Sequence, residues 1–407
     1  MKCGLLGRKL GHSYSPQIHA LLGNYSYQLF EKEPEEIGDF LKNGDFTGLN
    51  VTIPYKKEVI PFLDELSPAA ARLGAVNTIV RRNGKLIGHN TDYFGFRRLV
   101  QESGLQVAEK KVLVLGSGGA SSTAVAVLQE LGAKVAVISR SGENNYENLD
   151  RHADAAVIVN TTPVGMYPNT GKSALSLEGF PRLEGVLDAV YNPARTQILL
   201  DAERRGLAAV NGLWMLVAQA KESAEWFTGE EIPDSRIAKI HHTLRLQMEN
   251  IILIGMPGCG KTAVGQQLAQ KLGKKFVDAD ESLEARVCRK ITDIIPNDGE
   301  AAFREMESET LAELGKQSGL VIATGGGCVT QPQNYPLLHQ NGTIFWLKRE
   351  LDKLPTDGRP LSQKGTLGKM YEARMPLYLR FADAAISNDG SIAETAAAIC
   401  RKLEETT

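Results

Sequence analysis

The sequence has little of what marks a membrane-spanning, secreted or nucleic-acid-binding protein. No apolar run in its 407 residues approaches the roughly 20 that cross a bilayer, and the first eleven residues turn polar before a signal peptide could form. The five cysteines are scattered and form no Cys-x-x-Cys pair, which excludes a disulfide framework and favours a reducing compartment. Lys and Arg number 46 against 48 Asp and Glu, a net charge of −2, so no basic excess is available for nucleic acid. We therefore expect a cytoplasmic protein with neither membrane nor nucleic acid as a partner.

What the chain does have is the pattern of an α/β protein of two or three domains. Its length exceeds that of one typical domain, and its 43% hydrophobic content is globular. Short runs rich in Val and Ile alternate with longer helical patterns, and these runs lack polar alternation, as strands buried on both faces of a parallel sheet do. The clearest are residues 111–116, 134–139, 155–160, 250–255, 320–324 and 343–347.

Two of these strands lead into glycine clusters, and each cluster predicts a separate nucleotide-binding unit. Gly255-Met-Pro-Gly-Cys-Gly-Lys261-Thr262 fits the phosphate-binding loop G-x-x-x-x-G-K-[ST], with a strand before it and a helical stretch after it. Backbone N–H groups of such a loop surround phosphate oxygens, the lysine reaches the β- and γ-phosphates, and the hydroxyl ligates Mg²⁺. The loop residues assigned to ATP are Gly255, Gly258, Cys259, Gly260, Lys261 and Thr262.

The other cluster, Gly116-Ser-Gly-Gly-Ala-Ser121, has the form of a dinucleotide-binding turn. After the next strand, Ser139-Arg140 stands where an NAD site usually has an acidic residue. An arginine there pairs with the 2′-phosphate of NADP, so we expect NADP(H). The residues assigned to this cofactor are Gly116, Ser117, Gly118, Gly119, Ala120, Ser139, Arg140, Asn160, Thr161 and Gly212.

The boundary between the two halves is predicted near residue 248, where a helix over residues 233–248 leads directly into a strand. We expect residues 1–248 to form one half, in which 1–101 with 211–248 bind substrate and 102–210 form a Rossmann NADP-binding domain. Residues 249–407 are expected to form a P-loop kinase domain with a parallel sheet.

Further motifs of the C-terminal half give it a family resemblance. They are Asp278-Ala-Asp280, Gly299-Glu-Ala-Ala-Phe-Arg304, Thr324-Gly-Gly-Gly327, Asp357-Gly-Arg359-Pro-Leu and Arg374-Met-Pro-Leu-Tyr378. In this order, over residues 249–407, they resemble shikimate kinase. The segment before Arg359 is shorter than is usual in that family, and the arginine that packs on adenine would be expected near Asp352 and Lys353.

The resemblance to shikimate kinase implies a role for each motif. Asp278 and Thr262 would hold Mg²⁺, and Asp280 would contact the substrate hydroxyls. Arg304 and Arg374 would bind the substrate carboxylate, beside Gly325, Gly326 and Gly327. Lys261 and Arg359 would act in catalysis by stabilising charge on the transferring phosphoryl group.

The N-terminal half resembles shikimate dehydrogenase over residues 1–248. The motifs are Gly11-His-Ser13-Tyr-Ser15-Pro-Gln-Ile-His19, Asn50-Val-Thr52-Ile-Pro-Tyr-Lys56, Gly74-Ala-Val-Asn77-Thr, Asn90-Thr-Asp92, Asn160-Thr-Thr-Pro-Val-Gly165, Asp188-Ala-Val-Tyr191 and Gly212-Leu-Trp-Met-Leu-Val-Ala-Gln219. By this resemblance, the substrate contacts are Ser13, Ser15, Thr52, Asn77, Asp92, Tyr191 and Gln219. Lys56 and Asp92 would be the catalytic pair, since an ammonium can stabilise or protonate the oxygen of a ketone that receives a hydride.

Together the resemblances imply two consecutive reactions in aromatic amino-acid biosynthesis. The first half would reduce 3-dehydroshikimate with NADPH, and the second would phosphorylate shikimate with ATP and Mg²⁺. Two alternatives stay open: an NAD-preferring quinate/shikimate dehydrogenase in the first half, or one half that senses shikimate without turnover. The expected partners are the small-molecule substrates, with room for a homo-oligomer formed through either half.

Overall fold

The computed structural model describes residues 1–11, 13–354 and 366–405. The chain divides into two compact units. The first comprises Met1–Val164, Ser173–Tyr191 and Ile198–Thr243, and the second comprises Gly165–Lys172, Asn192–Gln197 and Leu244–Thr407. No helix of the described residues is long and apolar enough to cross a membrane.

The first unit begins with a mixed sheet in the order β2-β1-β3-β5-β6-β4. Its strands are β1 Lys2–Gly7, β2 Ser26–Glu31, β3 Gly48–Val51, β4 Glu65–Leu66, β5 Thr78–Arg82 and β6 Lys85–His89. Its helices are α1 Ser15–Leu22, α2 Ile37–Asn43, α3 Pro68–Leu73 and α4 Asp92–Glu102. Because β5 is antiparallel to both β3 and β6, the end of β3, the start of β5 and the end of β6 meet at one edge.

The second sheet of this unit is parallel, in the order β11-β10-β9-β7-β8. Its strands are β7 Lys111–Leu115, β8 Lys134–Ile138, β9 Val157–Asn160, β10 Gly185–Asp188 and β11 Ala208–Val210. The helices are α5 Gly119–Glu130, α6 Gln197–Arg204, α7 Leu213–Thr228 and α8 Ser235–Met248. The chain leaves β7 toward β8 on one side and returns to β9 on the other. The carboxyl ends of β7 and β9 therefore form the switch point at which such sheets bind ligands.

The second unit has a parallel sheet in the order β13-β14-β12-β15-β16. Its strands are β12 Asn250–Ile254, β13 Lys275–Asp278, β14 Leu320–Ala323, β15 Gly342–Lys348 and β16 Ala384–Ser387. The helices are α9 Lys261–Leu272, α10 Ala279–Val287, α11 Ile291–Lys316 (kinked at Gly299), α12 Asn334–His339, α13 Thr366–Phe381 and α14 Ile392–Glu405. Strands β12 and β14 are buried throughout, as their unbroken apolar sequences predict.

Candidate active sites

The first unit contains a polar cavity of about 330 Å³ at the sheet edge where β3, β5 and β6 meet. The strand register explains its lining, because Asn50 pairs with Thr78 and Thr78 with His89, so residues next to these positions share that edge. The cavity brings together the eight side chains assigned from sequence to substrate and catalysis: Ser13, Ser15, Thr52, Lys56, Asn77, Asp92, Tyr191 and Gln219.

A lysine–carboxylate pair lies in this cavity. Lys56 Nζ donates to Asp92 Oδ2 at 2.5 Å, with 28% of the lysine side chain and 14% of the aspartate side chain exposed. Asp92 is the first residue of α4, where the helix dipole favours a negative charge. The pair therefore holds an oriented ammonium group in a partly desolvated pocket that substrate can enter.

A short hydrogen-bond network fixes Asp92. Asn77 Nδ2 donates to Asp92 Oδ1 at 3.0 Å, and Asn77 Oδ1 accepts from the backbone N–H of Thr91 at 2.7 Å. Asn90 Oδ1 accepts from the backbone N–H of Asp92 at 3.1 Å. The two carboxylate oxygens thus have different partners, one toward the network and one toward Lys56.

The rest of the cavity wall mixes apolar and aromatic groups. Met215 and Leu216 face it from α7, one turn before Gln219. Tyr191 makes an edge-to-face contact with Tyr14, with 6.1 Å between ring centroids. Burial raises the pKa of Tyr191, so its hydroxyl stays protonated at neutral pH and can donate to an anionic or hydroxyl oxygen.

The dinucleotide turn lies at the switch point between β7 and β9. Gly116 has φ +104°, and a Cβ there would come within 3.0 Å of the Thr162 side chain. Gly118 and Gly119 have open space where a Cβ would project, and α5 begins at Gly119, so backbone N–H groups at a helix N-terminus face an unfilled surface. Ala120 also lines the polar cavity. The turn therefore fits a pyrophosphate group held beside the substrate cavity.

Other residues assigned to this cofactor hold the turn and its neighbours in place. Buried Asn160 donates to Asp188 Oδ1 at 2.9 Å, and Thr161 Oγ1 donates to the carbonyl oxygen of Leu115 at 2.6 Å. A Cβ on Gly212 would lie 2.1 Å from the carbonyl oxygen of Ala189, so only glycine permits this approach. Gly212 itself lines the cavity.

Arg140 follows β8 and is exposed. The structure gives it no ion pair with any described residue, although its charge lies close enough to affect the pKa of Tyr146, which burial raises. Ser139 precedes it, and its backbone N–H donates to the carbonyl oxygen of Asn144 at 3.1 Å, which closes the loop. The guanidinium group is therefore available to an anionic ligand at the end of β8.

In the second unit, the phosphate-binding loop runs from β12 to α9. Gly255, Gly258 and Gly260 have φ of +146°, +81° and +99°, conformations that side-chain-bearing residues rarely adopt. Buried Lys261 donates to the carbonyl oxygens of Gly255 at 3.0 Å and Met256 at 3.1 Å, so the ammonium group lies over the loop.

A hydroxyl and a carboxylate stand together next to this loop. Thr262 Oγ1 donates to Asp278 Oδ2 at 3.0 Å, and Asp278 Oδ1 accepts from the backbone N–H of Asp280 as the cap of α10. Oxygen donors of this kind suit Mg²⁺, which takes one or two protein ligands and completes its shell with water and phosphate. Within the described residues, no three His, Cys, Asp or Glu side chains cluster to hold a metal unaided.

An acidic pair lies behind the metal-type donors. Burial, with the nearby charges of Asp278 and Glu307, raises the pKa of Asp280 to about 6. Glu307 is 2% exposed, and burial raises its pKa as well. Its Oε2 accepts from Arg304 Nη1 at 2.8 Å, whereas Oε1 is buried without a hydrogen-bond partner among the described residues. Such an unpartnered acceptor fits a ligand hydroxyl.

The triple-glycine turn after β14 packs against three different groups. A Cβ on Gly325 would lie 2.6 Å from Glu307 Oε1, one on Gly326 would lie 2.7 Å from Pro257, and one on Gly327 would lie 2.3 Å from the guanidinium group of Arg304. The carbonyl oxygen of Gly326 accepts from Tyr378 Oη at 2.5 Å and from Arg374 Nη1 at 3.2 Å. The turn therefore brings the acidic pair, the two arginines and the phosphate-binding loop to one place.

Comparison with known proteins assigns both halves. A family model for the shikimate dehydrogenase substrate binding domain matches residues 5–79. A shikimate dehydrogenase (NADP(+)) from Clostridium perfringens is 36% identical over 264 residues, which cover 60% of this chain and 97% of that protein. The chain belongs to the shikimate dehydrogenase family. A shikimate kinase family model matches residues 257–404, so a shikimate kinase domain follows the dehydrogenase.

Two solved structures resemble the dehydrogenase part. A chorismate mutase/shikimate 5-dehydrogenase fusion protein from Clostridium acetobutylicum is 37% identical with a TM-score of 0.57, covering 60% of this chain and 96% of that one. A quinate dehydrogenase from Corynebacterium glutamicum, solved in complex with NAD, is 28% identical with a TM-score of 0.55, covering 60% and 98%. The α/β fold, the two families and the two enzyme classes predicted from sequence are confirmed.

The structure also places residues that the sequence analysis did not assign. In the dehydrogenase, Asn50 and Met215 line the cavity. Asn50 lies two residues before Thr52 in the same motif, and residues two apart in a strand face the same side, so this spacing could have pointed to Asn50. In the kinase, Glu307 and Tyr378 join the acidic pair and the glycine turn. Glu307 lies one helical turn after Arg304, the spacing at which helical residues interact, and this signal could have pointed to it.

Two arginines of the kinase were assigned roles that their surroundings bear on differently. Arg304 donates from Nη1 to Glu307 and from Nη2 to Glu300, whereas its Nε is buried without a hydrogen-bond partner among the described residues. Arg359 lies outside the described residues. Near the expected place of an adenine contact, Lys353 pairs with Glu350, while Arg349 Nη1 lies 3.8 Å from where a Cβ would sit on Gly260.

Proposed function

We propose that this chain catalyses two consecutive reactions, the NADPH-dependent reduction of 3-dehydroshikimate to shikimate and the ATP- and Mg²⁺-dependent phosphorylation of the shikimate 3-hydroxyl. The observation that carries the proposal is that each unit gathers a set of reactive groups suited to one of the two reactions. The Lys56–Asp92 pair shares a cavity with seven other polar side chains, and Lys261, Thr262 and Asp278 stand beside the Asp280–Glu307 pair. We place the boundary between the two activities near residue 248.

In the dehydrogenase, each group of cavity residues would have its own role in the reduction. Bound NADPH would supply the hydride to the ketone carbon. Lys56 Nζ would donate a hydrogen bond and then a proton to the ketone oxygen, giving the hydroxyl, and would regain a proton from solvent. Asp92 would hold the ammonium group in a fixed orientation through their hydrogen bond. Ser13, Ser15, Thr52, Asn77, Tyr191 and Gln219 would bind the carboxylate and the remaining hydroxyls.

In the kinase, each charged group would likewise have a separate role. ATP would supply the phosphoryl group, with Mg²⁺ neutralising phosphate charge at Thr262 and Asp278. Asp280 has a pKa of about 6, so it is largely ionised at pH 7.5 and would accept a hydrogen bond from the substrate hydroxyl. Arg374 and Arg304 would bind the substrate carboxylate, and Lys261 would stabilise charge on the transferred group together with Arg359.

One incubation tests the proposal. Purified chain is mixed with 3-dehydroshikimate, NADPH, ATP and Mg²⁺, and the products are identified by mass spectrometry. We expect shikimate 3-phosphate, with one NADPH oxidised and one ADP formed per product. Omitting ATP should leave shikimate, and omitting NADPH should leave 3-dehydroshikimate. If neither nucleotide is consumed, the proposal is wrong for both units.

A second candidate for the first unit is a dehydrogenase that prefers NAD and also accepts quinate. The likeness to an NAD-bound quinate dehydrogenase favours it, and so does the loop after Arg140, which lacks a second basic residue. Initial rates with NADP⁺ and NAD⁺, each measured with shikimate or quinate in the oxidation direction, decide between the two. We expect NADP and shikimate to give the higher kcat/KM, because Arg140 has no ion pair with a carboxylate of the described residues.

A further inference from the structure

A buried serine on α7 links four elements that carry cavity residues. Ser223 is 0% exposed and lies one turn after Gln219. Its Oγ lies 2.7 Å from Asn50 Nδ2, 2.9 Å from Thr78 Oγ1 and 3.0 Å from Thr91 Oγ1. It also donates to the carbonyl oxygen of Gln219 at 2.9 Å. Each of these four partners either lines the cavity or is adjacent in sequence to a residue that does.

The hydroxyl of Ser223 is fully used in these contacts. A hydroxyl has one hydrogen and two lone pairs, so it makes at most three hydrogen bonds. Four groups surround Ser223 Oγ, and Thr78 and Thr91 therefore compete for its second lone pair. The hydrogen goes to the Gln219 carbonyl, and one lone pair accepts from the Asn50 amide. Removing this oxygen would therefore leave several buried polar groups short of a partner at the same time.

Asn50 connects Ser223 directly to the cavity. The Asn50 amide accepts from Tyr27 Oη at 2.7 Å on its oxygen side and donates to Ser223 on its nitrogen side. These two bonds fix which way the amide points, and Asn50 is 5% exposed where it meets the cavity.

Thr91 connects Ser223 to the Lys56–Asp92 pair. Thr91 Oγ1 accepts from Asn77 Nδ2 at 3.0 Å, and the same amide group donates to Asp92. Asp92 in turn holds Lys56. The path from Ser223 to the ammonium group runs through Thr91, Asn77 and Asp92, and each step is a hydrogen bond within the first unit.

We propose that Ser223 is a positioning residue of the dehydrogenase site, whose hydroxyl sets the orientation of Asn50 and of the Asn77–Asp92–Lys56 chain toward the substrate. This rests on the proposed reduction of 3-dehydroshikimate. Ser223 does not line the cavity, so its effect is transmitted through these side chains and not by contact with substrate.

Two substitutions test the role, read out in the full chain. Ser223→Ala removes the oxygen, and Ser223→Cys keeps a side chain of similar shape with a poor hydrogen-bonding group. We expect both to lower kcat/KM for 3-dehydroshikimate and to raise the Kd for shikimate roughly five- to thirtyfold, the effect of leaving buried polar groups unpaired. The KM for NADPH and the shikimate kinase rate of the same chain should stay unchanged.

Ser67→Ala is the matched control. Ser67 is also buried, and its Oγ caps α3 and lies 2.7 Å from His89 Nδ1, so its loss has a comparable stability cost without removing a hydrogen bond to Asn50, Thr78, Thr91 or Gln219. The proposal is overturned if Ser67→Ala lowers kcat/KM equally, if Ser223→Cys behaves like the unaltered chain, or if NADPH affinity falls with substrate affinity. Should the unaltered chain not reduce 3-dehydroshikimate at all, the proposed function fails first, and the shikimate Kd alone then decides the role of Ser223.

Discussion

Two adjacent lysines of the first unit have different surroundings. Lys56 pairs with Asp92 and lines the cavity, whereas its neighbour Lys57 is exposed and has no ion pair among the described residues. We therefore propose that Lys56, and not Lys57, meets the ketone oxygen of the substrate.

Lys56→Met should abolish proton donation to that oxygen. We expect the rate of 3-dehydroshikimate reduction to fall about 10²- to 10⁴-fold, the usual contribution of a positioned acid. NADPH oxidation followed at 340 nm measures this rate, and the kinase rate of the same sample reports on folding. Lys57→Met is the control and should reduce at the normal rate; unchanged reduction by Lys56→Met would remove this residue from the mechanism.

The raised pKa of Asp280 predicts a pH-dependent stability of the kinase. Its folded pKa of about 6 lies above the ordinary 3.8, so between these values the folded state binds more protons than the unfolded state. The free energy of unfolding should therefore fall as pH rises from about 4 to about 6, by up to about 3 kcal/mol. Asp280→Asn should remove this slope and stabilise the unit at pH 7.5.

Amide hydrogen exchange of β12, compared at pH values corrected for intrinsic exchange rates, measures this effect in the full chain. Glu281→Gln serves as the control, since Glu281 is an exposed carboxylate one residue further along α10. Equal protection of β12 in the Asp280→Asn variant and the unaltered chain at pH 7.5 would show that ionisation of Asp280 does not lower the free energy of unfolding.

At the scale of elements, the glycine turn after β14 is the place where the kinase site is most tightly packed. Each glycine avoids a different group, and at Gly325 a Cβ would lie 2.6 Å from Glu307 Oε1 and 2.8 Å from Asp280 Oδ1. A methyl group here would have to displace both carboxylates, of which Glu307 is buried and Asp280 half-buried.

Gly325→Ala should therefore displace the carboxylates of Asp280 and Glu307, which we propose to face the substrate hydroxyls. A misplacement of about 1 Å can cost about 100-fold in rate, so we expect kcat/KM for shikimate phosphorylation to fall at least that far. A coupled assay for ADP formation measures it. Gly368→Ala, in helix α13 with open space around its Cβ position, should leave the rate unchanged; similar rates for both variants would count against the packing argument.

At the scale of the whole molecule, one chain carries a shikimate dehydrogenase and a shikimate kinase domain. A covalent link raises the local concentration of one site around the other. It provides no barrier to diffusion of a small polar acid, so we expect shikimate to leave the chain between the two reactions.

Isotope dilution tests this expectation. Labelled 3-dehydroshikimate is converted in the presence of an excess of unlabelled shikimate, and the label in shikimate 3-phosphate is measured. Full dilution by the added pool is the expected result. A mixture of Lys56→Met chains and Lys261→Met chains, in which the two reactions occur on different molecules, gives the fully diluted reference; less dilution in the unaltered chain would demonstrate retention of the intermediate.

The sequence determined the local parts of this protein. The phosphate-binding loop and the dinucleotide turn are written in consecutive residues, because glycine is strongly favoured where φ is positive or the backbone approaches a ligand closely. Strands β7 and β12 were predicted to within one residue, since a continuous apolar run of that length requires burial on both faces. The order of the motifs gave the two family resemblances and with them the residues that gather in the dehydrogenase cavity.

Only the tertiary structure decided which of these side chains touch. The proximity of Arg349 to Gly260 and the contacts of Ser223 with Asn50, Thr78 and Thr91 depend on strand register and helix packing, which bring together residues up to 173 positions apart. A single serine within a helix has no distinguishing sequence pattern. Its position becomes meaningful when three neighbouring elements place polar groups around it, because a buried hydrogen bond is defined by distance in space.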